Sequence, residues 1–175
     1  MRKILLPLVF ASSLLASTAN SAENNVRPGL WEMKTSSDLL KLASQLPPDQ
    51  MQLLVTLAKQ NGIDLPPIQN GAAVSQVCIT QKMADQKNPL AFLQNQSGCS
   101  AKDTSHVGNK YKLNFVCANA NLNGNGTAEG TFTSPERFAG RTEFDGVAQG
   151  TPVNERADIN GKWVNASCGT VKPLQ

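Results

Sequence analysis

The sequence predicts an α+β domain built on a strongly curved antiparallel sheet, an open or partial barrel with a two-helix segment packed against it. Three observations predict it. From Tyr111 to Cys168 short runs alternate apolar and polar residues and are separated by turn residues. That period of two marks strands with two unlike faces. Gly130 and Gly140 fall inside such runs, where glycine weakens a flat strand but suits a bend or close packing. The single clear stretch of helical spacing lies between residues 38 and 60.

The first residues stand outside that fold. Arg2 and Lys3 precede an apolar run, Ile4 to Leu15, and small residues up to Ala22. This is the layout of a secretory signal peptide, with cleavage expected after Ala22 or after Ala19. About twelve apolar residues fall short of the ~20 a spanning helix needs, so no transmembrane segment is expected after cleavage. No cysteine lies near the cleavage region, which argues against a lipoprotein. Residues 23–175 then form a single domain, large enough for a real core. Of sixteen basic residues, removing Arg2 and Lys3 leaves fourteen against thirteen acids, a net charge of +1. No nucleic-acid partner is expected from so balanced a chain.

Residues 23–28 read as a lead-in. Gly29 to Thr35 alternates, with Trp31 and Met33 the better core candidates, and is expected to join the later sheet at one side. Asp38 to Leu46 carries Leu39, Leu42, Ala43 and Leu46 at helical spacing, with Ser36 or Ser37 available as N-cap. Pro47-Pro48 ends this helix. Pro48 also opens a second one with Asp49 at the positive end of its dipole, and Asn61-Gly62 stops it. Met51, Leu54, Val55 and Ala58 form its stripe, flanked by Leu53 and Leu57. Packing against the sheet would bury that stripe. Exposure of Leu53, Leu54 and Leu57 would instead mark a lid or a surface for a ligand or partner.

Pro66-Pro67 returns the chain to a strand over Ala73 to Thr80, and a short helical turn is expected around Pro89 to Asn95. Gly98 to Val107 and Tyr111 to Ala118 pair across Gly108-Asn109. After the Gly/Asn cluster of Asn119 to Gly126 come strands Thr127 to Thr133 and Arg137 to Phe144. Placing Phe132 opposite Phe138 makes paired numbers sum to 270 and sets Glu129 opposite Arg141 as a surface ion pair. A two-residue turn at Pro135-Glu136 would instead oppose Phe138 to Thr133. Asp145-Gly146 is expected to break the strand, Val153 to Ile159 to resume it. Asn160-Gly161 then reads as a hairpin turn into a last strand, Lys162 to Cys168.

Cys78, Cys99, Cys117 and Cys168 make an even count in an exported chain, which predicts two disulfides. Three pairings exist. Locality favours Cys78–Cys99, and a tie between the first and last strands of the meander favours Cys117–Cys168.

Arg27-Pro28-Gly29-Leu30-Trp31-Glu32, Cys78-Ile79-Thr80 and Ala166-Ser167-Cys168-Gly169 occur in this order. With the spacing of Cys99 and Cys117 and the hairpin from Gly130 to Gly140, they resemble an exported bacterial family catalogued as domain of unknown function 3617. The resemblance spans roughly residues 27 to 169. It implies a Gram-negative periplasmic protein, cysteine-bridged, with no catalytic or ligand residues to carry over.

Catalytic signatures are missing from the residues themselves. His106 sits in Asp103-Thr104-Ser105-His106, but strand neighbours point to opposite faces, so this is no triad. Glu129 and Glu143, beside Arg137 and Arg141, read as a charge-balanced surface. No cysteine spacing fits zinc, no phosphate loop or nucleophile elbow is present, and no cofactor is expected. Three Asn-x-Ser/Thr sequons, at Asn95, Asn125 and Asn165, read as coincidence beside a bacterial leader. The function expected is a non-catalytic periplasmic domain binding a small apolar ligand or an envelope protein. A small envelope hydrolase and a purely structural or stress-related component are the alternatives.

Overall fold

A computed structural model describes residues 26–60, 65–85 and 98–173. The leader and its cleavage site, the Asn61-Gly62 stop signal and the expected turn at Pro89 to Asn95 lie outside the described residues.

Eight strands form one antiparallel sheet: β1 (Gly29–Ser37), β2 (Ile68–Gln69), β3 (Ala72–Ile79), β4 (Cys99–Val107), β5 (Lys110–Ala118), β6 (Leu122–Ser134), β7 (Arg137–Ala148) and β8 (Thr151–Asn165). Their spatial order is β2-β3-β1-β8-β7-β6-β5-β4. β4 to β8 form a meander. β1 lies inside the sheet, between β3 and β8, with both of its edges paired. The sheet is open, with β2 and β4 at its two edges, and side chains of non-adjacent strands meet on one face. Three strand spacings separate β1 from β6, about 14 Å in a flat sheet, but the rings of Trp31 and Phe132 meet edge to face at 6.0 Å.

Alternation decides which residues fill the concave side. Trp31, Ile79, Tyr111, Phe132 and Phe138 are buried there, with Met83 and Ala84 of the short helix α3 (Gln81–Ala84) closing the end. Thr80 caps α3 by accepting from the Met83 N–H. The Arg27-Pro28-Gly29-Leu30-Trp31 motif clasps the same end. The Trp31 and Trp163 indole N–H groups donate to the carbonyls of Arg27 and Pro28 at 2.8 and 3.0 Å. The Arg27 guanidinium lies 3.7 Å over the Trp163 ring and pairs with Glu136. Gly29, at φ +129°, leaves no room for a side chain, because a Cβ there would stand 2.2 Å from the Asn165 carbonyl.

The 270 register holds through Phe132–Phe138 and Glu129–Arg141. The hairpin also turns at Pro135-Glu136, with Ser134 opposite Arg137 and an irregularity at Thr133 reconciling the two. The expected Glu129–Arg141 ion pair is replaced by neighbours on the other side: Glu129 binds Lys112 at 2.7 Å and Arg141 binds Asp158 at 2.8 Å.

Several expectations are corrected. The Gly/Asn cluster is largely strand, because glycines there take ladder positions opposite Phe144 and Gly146. Asp145-Gly146 does not break β7, which runs on to a turn at Gln149-Gly150. Asn160-Gly161 is not a hairpin turn. It lies within β8, paired on one side to Lys34 and Met33 and on the other to Ala139 and Phe138. Among the described residues an Asn-Gly turn is found instead at Asn70-Gly71, both at positive φ, joining β2 to β3.

The disulfides join Cys78 to Cys168 and Cys99 to Cys117, overturning the favoured pairing. Cys99 and Cys117 face each other across the β4–β5 ladder with Cα atoms 4.0 Å apart. Cys78 and Cys168 flank β1 at the clasped end, 5.5 Å apart. Cys117 and Cys168 are separated by two whole strands and lie toward opposite ends of the sheet, far beyond the ~7 Å Cα limit of a bridge.

Candidate functional site

The two helices leave the sheet from its open end. Ser37 ends β1, is buried, and caps α1 (Asp38–Ala43) by accepting from the Leu40 N–H. α2 (Pro48–Gln60) follows, with proline at its first position. The segment returns through β2 to Ala72, which pairs with Ser36. Both ends of the insertion are therefore anchored side by side. α1 rests on β1, β3 and β8, but neither helix has a fully buried residue. Leu53 is 60% and Leu57 48% exposed, and Leu54, Leu39 and Leu42 are exposed with them. The expectation that the helical pair packs its stripe on the sheet is thus corrected. Met51 and Val55 of α2 line a surface depression together with Leu65 to Ile68.

Within the curl, above the clasped end, lies a cavity of about 190 Å³. Trp31, Met33, Val77, Phe132, Phe138 and Ile159 give it apolar walls, and Thr35, Ser75 and Thr142 supply hydroxyls toward the open side. Glycines create this space. Phe138 lays its ring across Gly130 and Gly140, where added Cβ atoms would stand 2.2 and 2.8 Å from its Cζ. Gly161 yields to Met33 in the same way. The mid-strand glycines are therefore seats for aromatic and thioether side chains, a device that pins register in curved sheets.

Beyond the cavity the long strands β5 to β8 continue as a ribbon. A second depression there, of about 450 Å³, is lined by Phe115, Phe144 and Glu155, with Asp103, Glu143 and Asp145 against Lys102 and Arg156 around it, acids outnumbering bases. Phe115, its ring over side-chain-free Gly126, stacks at 6.4 Å on Phe144, whose ring tip lies against Gly124 and Gly146. At the concave-facing positions of β1, β3 and β5 to β8, Glu155 is the one charged residue among those described.

Of the other singled-out residues, Glu129 borders the cavity, Asp103 and Glu143 border the second depression, and His106 lies apart from both. His106 stacks on Tyr111 at 4.3 Å and bonds the Gly108 carbonyl, while Asp103 and Ser105 take the opposite face. Glu129 and Glu143 are exposed on the outer face, paired with Lys112 and Arg156. The Lys112 ammonium, by hydrogen bond and by charge, holds the Glu129 carboxyl below its ordinary range, the reverse of what a general acid needs. Among the described residues no group of three or more His, Cys, Asp or Glu is placed to hold a metal. No helix among them is long and apolar enough to cross a membrane.

The cysteine order, the clasp motif and the hairpin at Gly130 to Gly140 are now placed in space. The model of a family described as "Protein of unknown function (DUF3617)" matches residues 26–168. The chain belongs to this family. The match begins at buried Val26 and ends at Cys168, so it covers both the clasp and the two bridges. A relative from Pseudomonas putida, the "Uncharacterized protein in lpd-3 5′region", is 28% identical over 151 residues, 79% of this chain and 99% of the relative. No solved structure matches. The stretch from Arg27 to Glu32 does its work in the clasp and contributes Trp31 to the cavity wall.

Proposed function

We propose that this DUF3617 protein is an exported, periplasmic, non-catalytic domain that binds a small apolar ligand in the cup of its sheet. One observation carries the reading: an apolar cavity of about 190 Å³, open on one side and walled by Trp31, Met33, Val77 and Phe138. Binding sites combine apolar walls with a few placed polar groups, and Thr35, Ser75 and Thr142 provide them. The helical insertion, anchored at the open end by Ser37 and Ala72, serves as a flap whose exposed leucines close over the bound molecule. The leader expected from the sequence and the two disulfides, which persist in oxidising compartments, support an exported location.

Calorimetric titration with dodecanol, below its solubility limit, tests the reading. Saturable binding is expected, and Thr142→Phe, which fills the half-buried rim, is expected to abolish it without loss of the circular dichroism signal. Absence of binding to the wild-type protein would sink the proposal.

The exposure of Leu53, Leu54 and Leu57 favours a second reading, in which α2 receives an envelope protein. Crosslinking from a photoreactive residue at position 53 in the periplasm separates the two. A discrete protein adduct favours docking, and crosslinks confined to the chain itself favour a flap.

A further inference from the structure

The concave face is apolar or neutral over the described positions of six strands, with one exception. Glu155 follows Val153 and precedes Ala157 and Ile159 on the inward phase of β8. Its Oε1 is shielded from solvent and has no hydrogen-bond partner. A carboxylate oxygen left so is destabilising.

Its surroundings favour a cationic hydrogen-bond donor. Glu155 pairs with Phe144, Phe144 with Gly126, and Gly126 with Phe115. Glu155, Phe144 and Phe115 therefore occupy one row across four strands, with the two rings stacked on each other. The row lies one step beyond the cavity rim, where Thr142 opposes Ala157, about 7 Å further along β8. An acid supplies charge and hydrogen-bond acceptance, and aromatic faces attract cations.

We infer that the ligand is an amphiphile with a primary ammonium head, its chain in the cup and its head between Glu155 and the Phe115–Phe144 pair. The inference rests on the apolar-ligand reading and adds the head-group chemistry. The orphaned Oε1 calls for an N–H donor, so a primary amine fits better than a quaternary one.

The test compares dodecylammonium and dodecyltrimethylammonium, below their micelle concentrations, with dodecanol, below its solubility limit, on the folded mature protein. Dodecylammonium is expected to bind at least tenfold tighter than dodecanol, with the trimethyl analogue between them. Glu155→Gln is expected to reduce that preference to less than threefold while dodecanol binding stays unchanged. Phe144→Leu, which keeps the carboxylate, is expected to weaken both cations relative to the alcohol. Lysophosphatidylethanolamine as a further titrant separates an aminolipid head from a free long-chain amine, and tighter binding of either supports the amine site and identifies its source. Equal binding of amine and alcohol, or a preference unchanged in Glu155→Gln, overturns the head-group inference and leaves the cup reading standing. If no probe binds the wild-type protein, both fall.

Discussion

Phe138 occupies the space that a side chain at Gly130 would need: a Cβ built there would stand 2.2 Å from the Phe138 Cζ. The pair joins β6 to β7 without being directly opposite, since Gly130 pairs with Gly140 and Phe138 with Phe132. This diagonal contact lets the sheet bend while its floor stays aromatic.

Gly130→Ala is accordingly expected to destabilise by about 1–3 kcal/mol through overpacking, because Phe138 must leave its seat. The double variant Gly130→Ala/Phe138→Leu should recover part of that loss. Urea unfolding of the four proteins measures the coupling. Strict additivity would show that the ring does not sit there.

The bridges differ in the loops they close. Non-reducing peptide mapping should find Cys78 with Cys168 and Cys99 with Cys117. In the chain-entropy model the 90-residue separation of the first corresponds to roughly 4.6 kcal/mol, and the 18-residue separation of the second to about 3. Replacing Cys78 and Cys168 together by alanine should therefore lower the urea midpoint more than replacing Cys99 and Cys117.

Trp31 is 1% exposed, meets Phe132 edge-on and donates to the Arg27 carbonyl. Trp31→Ala is expected to cost about 3–5 kcal/mol, and Trp31→Phe less, with the clasp hydrogen bond lost in both. Leu53→Ser, on the exposed side of α2, should stay within about 0.5 kcal/mol of wild type. A large loss for Leu53→Ser would mean that α2 packs on the sheet after all.

Glu129 is held below its ordinary range by Lys112, and Asp38 by Lys41. A depressed folded-state value means that each contribution is present above the unfolded carboxylate range and is lost as pH falls through the folded value. Denaturant midpoints should decline on acidification below about pH 4.5. Glu129→Gln should flatten part of that decline, and 0.5 M salt should shrink the difference, since both groups are at the surface.

Much of the site was legible in the chain. Trp31, Met33, Phe132 and Phe138 carry the inward phase of their strands, and Leu53, Leu54 and Leu57 stand out on α2. Val77, Ile159 and Thr142 escaped because their place in a wall depends on which strands become neighbours. Glu155 had a signal that passed unused: a charge on the same phase as Val153, Ala157 and Ile159.

By itself the sequence determined the local grammar: alternating strands, Ser37 capping one helix, Pro48 opening the next, and four cysteines for two bridges. These follow from forces acting within a few residues, namely side-chain period, caps and backbone sterics. Only the tertiary structure decided that β1 enters between β3 and β8, which brings Cys78 to Cys168 and makes Asn160-Gly161 part of a continuous strand. Those outcomes depend on contacts between residues up to 135 positions apart, such as Trp163 with Pro28. No local pattern specifies such contacts, because they stabilise only after the whole sheet has curled.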